Sequence, residues 1–220
     1  MHPEGVLLIA TVSVVIGIVI VRRRGEKLRL PIATLALALV TLVVGVLVVF
    51  DPVLLLVISR DYGAIIAGEW WRLVTSIFAQ DPSWFPVVFN VIALVVIGSL
   101  FESAFGWRML LVTFFAAGIV SEVVGWLAVP AGYAGNSVAN NGLAGMLAVV
   151  ALTLPAPARA LGVISLAAAL FLYARGLFVF AFPDLHGIGY FVGAAIGVAY
   201  VVVRWVKARP RKSRLEGVAA

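Results

Sequence analysis

Gly135-Asn136-Ser137-Val138-Ala139-Asn140-Asn141-Gly142-Leu143-Ala144-Gly145 and, further along, His186-Gly187-Ile188-Gly189-Tyr190-Phe191-Val192-Gly193 decide how this chain is read. Each stretch opens an apolar run with a polar residue and continues in small residues. Small-xxx-small surfaces let helix backbones approach closely inside a membrane. His186 is one of only two histidines, and the other, His2, sits at the amino end. An intramembrane histidine is a functional residue by default. A serine hydroxyl becomes a useful nucleophile when an imidazole takes its proton. Ser137 and His186 are therefore the candidate nucleophile and base; helix capping by Ser137 and generic glycine packing are the competing structural roles.

The chain has 220 residues, 64% hydrophobic and 12% charged, with a mean hydropathy of +1.16. Apolar runs near the length of a membrane crossing recur along it. An all-α polytopic membrane protein follows. The formal charge of +6 does not point to nucleic acid, because the cations cluster directly after apolar runs, at residues 22–29 and 204–214. Such clusters are cytoplasmic anchors. The absence of cysteine excludes disulfides and thiolate metal sites. One usable histidine cannot supply an HExxH metal site, so no metal and no cofactor is expected. The first apolar run has its charges after it and no evident cleavage site, the pattern of a retained helix rather than a signal peptide.

Seven spans are predicted, at about 5–21, 31–50, 84–103, 108–128, 137–154, 161–177 and 185–204. Residues 51–83 mix Asp51, Arg60, Asp61, Glu69 and Arg72 with Trp70 and Trp71, which suits the interface. The organisation is a leading helix with a basic loop (1–30), a six-helix membrane domain (31–204) and a basic tail (205–220). Positive-inside counting puts the amino end outside and the carboxyl end in the cytoplasm. Ser137 and His186 then begin helices at the same, outer face and lie at matching depth. Glu122 and Arg175 also share a depth, roughly 21–23 Å from the inner edge, which permits pairing; Arg175 reaching for headgroups is the alternative. Asn136, Asn140 and Asn141 make the serine helix amide-rich, for interhelical hydrogen bonds or for contact with substrate backbone or water. Asp51, Asp61, Asp81 and Asp184 all fall in or beside loops, and Asp184 is the only one expected near a helix start.

Other residues carry a family resemblance. Gly68-Glu69-Trp70-Trp71-Arg72 resembles the first outer loop of rhomboid intramembrane proteases. Phe89-Asn90, then Gly98 with Glu102, resembles the second core helix. Gly135-x-Ser137 with Gly142 and Gly145 resembles the nucleophile helix, and His186-x-x-Gly189-x-x-x-Gly193 the base helix. The resemblance spans roughly residues 31–204 in the family's order. It implies a rhomboid-like six-helix core, here with one additional N-terminal transmembrane helix. It implies Ser137 as nucleophile and His186 as base without a third carboxylate. Asn90 and the Ser137 backbone N–H are the implied oxyanion donors; Gly135, Asn136 and Asn141 complete the candidate oxyanion and substrate-binding residues. The implied partners are a transmembrane protein substrate or client and the lipid bilayer, in a bacterial plasma membrane.

Two positions depart from the family pattern. Val138 stands where the motif usually ends in glycine, and Pro86 where the second core helix usually carries a histidine. Proline there is expected to break the turn, and Gln80 is the nearest candidate for a replacement donor. Two functions stay open: a Ser-His endopeptidase cleaving transmembrane segments, and a rhomboid-like pseudoprotease that binds such helices without hydrolysis. A transporter is disfavoured by the lack of internal repeats.

Overall fold

The computed structural model describes residues 3–28, 30–128, 135–180 and 184–208. His2, Arg29 and the tail cations Arg209, Arg211, Lys212 and Arg214 lie outside the described residues. Six helices are long and apolar enough to cross a membrane: α1 (Pro3–Arg23), α2 (Ile32–Phe50), α6 (Trp84–Phe105), α7 (Trp107–Ala128), α9 (Ala158–Phe180) and α10 (Leu185–Ala208). The segment 51–83, expected at the interface, folds into three short helices, α3 (Leu54–Ile58), α4 (Tyr62–Ile66) and α5 (Arg72–Thr75). Large apolar side chains such as Leu39, Ile92 and Phe178 face outward, as lipid contact requires.

The remaining helix, α8 (Ser137–Leu152), has 16 residues. At 1.5 Å per residue it is about 24 Å long, short of a hydrocarbon core about 30 Å thick. It differs in this from the predicted full span at 137–154. Fourteen of its residues are buried, and α1, α6, α7, α9 and α10 all pack on it. The helix that carries Ser137 is thus the axis of the bundle. A central helix shielded by protein need not reach both lipid faces.

Contacts between helix ends fix the frame. No side chain of its own caps α2; instead Glu102 on α6 accepts from the Thr34 N–H and hydroxyl at 2.8 Å each. Those donors belong to the turn that a helix cannot satisfy internally. Gly98 leaves room for this approach, because a Cβ there would stand 2.7 Å from Thr34 Cγ2. At the far end of α1, Arg24 donates to the Ala104 carbonyl at 2.7 Å and to Tyr200 OH at 2.8 Å. A cation at the end of α6 also complements that helix's dipole. The leading helix is therefore packed into the bundle, against α6, α8 and α9.

The interfacial segment is pinned by two arginines. Arg72 donates to Glu69 at 2.6 Å and to the Leu56 and Ser59 carbonyls at 2.7 and 3.0 Å. Arg60 lies against Gly125 and pairs with Glu122 on α7 at 2.6 Å, both side chains being almost wholly buried. Glu122 has thus found a partner that depth along the long helices did not suggest. Removing one member of a buried pair leaves a poorly compensated charge. Arg60→Met is expected to destabilise the protein by about 3 kcal/mol, seen as a lower thermal midpoint, and adding Glu122→Leu is expected to recover most of the loss.

Candidate functional site

Ser137 begins α8 and His186 is the second residue of α10. The two helices cross with their backbones in contact, since glycines line both sides. A Cβ on Gly189 would stand 2.2 Å from the Val138 carbonyl oxygen, and one on Gly145 2.0 Å from that of Tyr190. Ser137 Oγ lies 3.0 Å from His186 Nε2, with both residues buried. The crossing supplies this meeting of a short side chain with a ring on the neighbouring helix.

The other ring nitrogen meets an aspartate that the sequence marked only as lying near a helix start. Asp184 Oδ1 lies 2.9 Å from His186 Nδ1 and accepts the His186 backbone N–H at 2.8 Å. Asp184 is thus the N-cap of α10, and one oxygen serves both the helix end and the ring. A carboxylate only accepts, so the neutral ring places its proton on Nδ1 and turns the Nε2 lone pair to the serine hydroxyl. The family resemblance implied no third carboxylate, yet one stands behind the imidazole. The signal was available in Asp-Leu-His at a helix start. Burial acts to raise the Asp184 pKa, but hydrogen bonding to the His186 ring, attraction to it and two backbone amides together hold it below the ordinary carboxylate value. Its stabilising contribution is therefore complete above pH 3.8 and is lost as the pH falls through the lowered value. Asp184→Asn is expected to slow any reaction at Ser137 by up to about 10⁴-fold, by favouring the wrong ring tautomer, measured as the rate of covalent labelling, and to remove this acid-sensitive share of stability.

A chain of amides borders the pair. Asn90 Nδ2 on α6 donates to Gln80 Oε1 at 2.7 Å, and Gln80 Nε2 donates to Asn136 Oδ1 at 2.8 Å. Asn136 and Asn140 both direct Nδ2 at the Asn90 carbonyl, at 3.5 and 3.4 Å. Gln80 points inward and is 2% exposed. Pro86 itself breaks nothing: α6 starts at Trp84, and a proline in the first turn removes no intrahelical bond. Gly135 has φ +63°, and a Cβ there would stand 2.7 Å from the Ala79 carbonyl. Only glycine suits both demands, and it lets the Gln80 loop close on the start of α8.

Asn136 makes no side-chain cap on α8, so the positive end of that helix faces the Ser137 region, a setting suited to developing negative charge. Ser137, Asn90, Asn140 and Asn141 line one cavity, whose other walls include Ile9 and Ala10 of α1. Asn141 Nδ2 donates to the Ser137 carbonyl at 2.9 Å. The candidate residues Ser137, His186, Asn90, Gly135, Asn136 and Asn141 are thus neighbours in space. Among the described residues no cluster of three or more metal-ligating side chains occurs.

Comparison with known proteins agrees with this architecture. The family model for the Rhomboid domain matches residues 67–207, from the interfacial segment through α10. Rhomboid protease GluP of Bacillus subtilis (strain 168) is 34% identical over 95 residues, which cover 43% of this chain. The match covers 18% of that relative's own length. No solved structure matches the chain.

Proposed function

Because the chain belongs to the rhomboid family, we propose that it is an intramembrane serine endopeptidase acting on the transmembrane segments of other membrane proteins. The observation that carries this reading is the buried 3.0 Å approach of Ser137 Oγ to His186 Nε2, with Asp184 behind the ring. Ser137 attacks the substrate carbonyl while His186 takes its proton and then delivers it to the leaving amine. The Ser137 backbone N–H at the start of α8, with the Asn90 side-chain amide, stabilises the oxyanion, each donor being worth a few kcal/mol. A substrate helix must unwind locally, since its carbonyls are otherwise held in helical hydrogen bonds. In this reading the site opens near the outer face of a bacterial plasma membrane, with the amino end outside and the basic carboxyl end in the cytoplasm.

A water-soluble fluorophosphonate applied to the protein in lipid tests the reading. Covalent labelling of the wild type and none of Ser137→Ala is expected; equal labelling of both removes Ser137 as nucleophile. A folded wild type that takes no label supports the second reading, a helix-binding pseudoprotease. The observation favouring that alternative is Val138, a fully buried branched residue beside the nucleophile.

A further inference from the structure

Hydrolysis at Ser137 needs a peptide beside the hydroxyl, yet the cavity there has a volume of only about 20 Å³. A single water takes about 10–15 Å³ of such space, so nothing the size of a peptide enters. Ser137 itself is 8% exposed. One wall of the cavity is α1, through Val6, Ile9 and Ala10. α1 packs on α6, α8 and α9 at once, whereas α6 and α9 have no comparable contact with each other. It gives them one buried stripe at helical spacing, Ile9, Val12, Ser13, Ile16 and Ile20, and turns Leu7, Leu8 and Val15 outward. That is how an apolar helix lies in a groove made by others. α1 also precedes the stretch, 67–207, that the Rhomboid model matches, so the cover belongs to this chain's own leading segment.

We propose that α1 occupies in cis a groove on α6, α8 and α9 that receives the transmembrane helix of another protein, so that α1 must swing aside before any such segment reaches Ser137. The role of that segment as substrate rests on the protease reading; the exchange of one helix for another does not. The anchor is at the far end of α1. Arg24, directly after it, donates to the Ala104 carbonyl at 2.7 Å and lies over the Phe105 ring at 4.7 Å, while the residues over the cavity are apolar. Ile9 stands about 22 Å along the helix from Arg24. A tilt of about 25° about that end moves it about 10 Å, close to a helix diameter, and lies within the range of membrane-helix tilts. The exchange is nearly balanced. In water, baring Ile9 and Val12 would be costly, but lipid tails are as apolar as the groove, so association there rests on packing that an incoming helix replaces. The partner that fits is a single apolar helix of the same make, rich in β-branched residues as α1 is at Ile9, Thr11, Val12, Val14, Val15 and Ile16.

Two tests use the full chain in lipid. The chain has no cysteine of its own, so a pair can be added cleanly. A Cβ on Gly17 would stand 3.0 Å from Leu100 Cβ on α6, about half an ångström short of disulfide spacing, so Gly17→Cys with Leu100→Cys pins α1 where it already lies. The oxidised form is expected to take fluorophosphonate at least about tenfold more slowly than the same protein after reduction, because the open state is removed. Equal rates, or a pair that does not cross-link, overturn the proposal. The second test needs no chemistry at Ser137. Spin labels on Leu7→Cys, near the start of α1, and Phe178→Cys, near the end of α9, sit on outward-facing positions. A synthetic helix copying residues 5–23, at about one per 20 lipids, exceeds the millimolar effective concentration of a tethered segment. It is expected to add a population with the labels about 10 Å further apart; an unchanged distance distribution overturns the groove. Movement of α1 in a protein that never takes fluorophosphonate upholds the groove and overturns the protease reading. Labelling that ignores the pin, with α1 staying in place, upholds the protease reading and overturns the groove.

Discussion

His186→Ala is expected to slow fluorophosphonate labelling of Ser137 by about 10⁴-fold. A serine hydroxyl near neutral pH is a weak nucleophile, and a positioned base contributes about 10²–10⁴-fold. The upper end applies here because the ring is held on both sides: Nδ1 by Asp184 at 2.9 Å and Nε2 against Ser137 at 3.0 Å. No substitute base is at hand, since the sequence holds one other histidine, His2, at its amino end. Asp184 cannot step in directly, because in the native arrangement it reaches the serine only through the ring. A loss smaller than tenfold would mean that Ser137 is activated by something other than this imidazole. Double replacement of Ser137 and His186 is expected to cost no more than Ser137→Ala alone, because residues acting as one unit are not additive.

Gly193→Ala is expected to abolish labelling by a different route, with a loss of at least about 3 kcal/mol in stability. A Cβ at Gly193 would stand 1.7 Å from the Gly142 carbonyl oxygen and 2.7 Å from the Gly142 Cα. A tolerable C···O contact is about 3.3 Å, so α8 and α10 must separate by roughly 1.5 Å. The obstacle is backbone on backbone, so no rotamer change relieves it. Gly193 lies about 10 Å along α10 from His186, and widening the crossing there carries the ring away from the hydroxyl. Gly63→Ala is the matched control: its nearest neighbour would be Asp61 Oδ1 at an ordinary 3.5 Å. If Gly193→Ala retained both stability and labelling, the tight crossing would not be what holds the pair together.

Much of this was legible in the chain because membrane burial is a strong, one-dimensional constraint. Continuous apolar runs placed the long helices to within a few residues; the predicted 84–103 is observed as Trp84–Phe105, and 185–204 as Leu185–Ala208. The glycines at 142, 145, 189 and 193 announced a close crossing, and alternating direction put Ser137 and His186 at one end. Residues without a periodic pattern were harder. Glu122 matched Arg175 by depth, yet the structure pairs it with Arg60 from the interfacial segment. The path of a non-helical segment is set by which buried charges it can reach, and no periodicity records that.

The sequence by itself determined the helical membrane class, the small-residue faces and the two side chains that meet, because hydrophobic length and helical spacing act along the chain. Only the tertiary structure decided that Asp184 backs the imidazole, that Gln80 turns inward to join Asn90 and Asn136, and that α1 packs over the cavity beside Ser137. Those outcomes depend on which buried donors find acceptors on other elements, and hydrogen-bond satisfaction is a property of the assembled bundle.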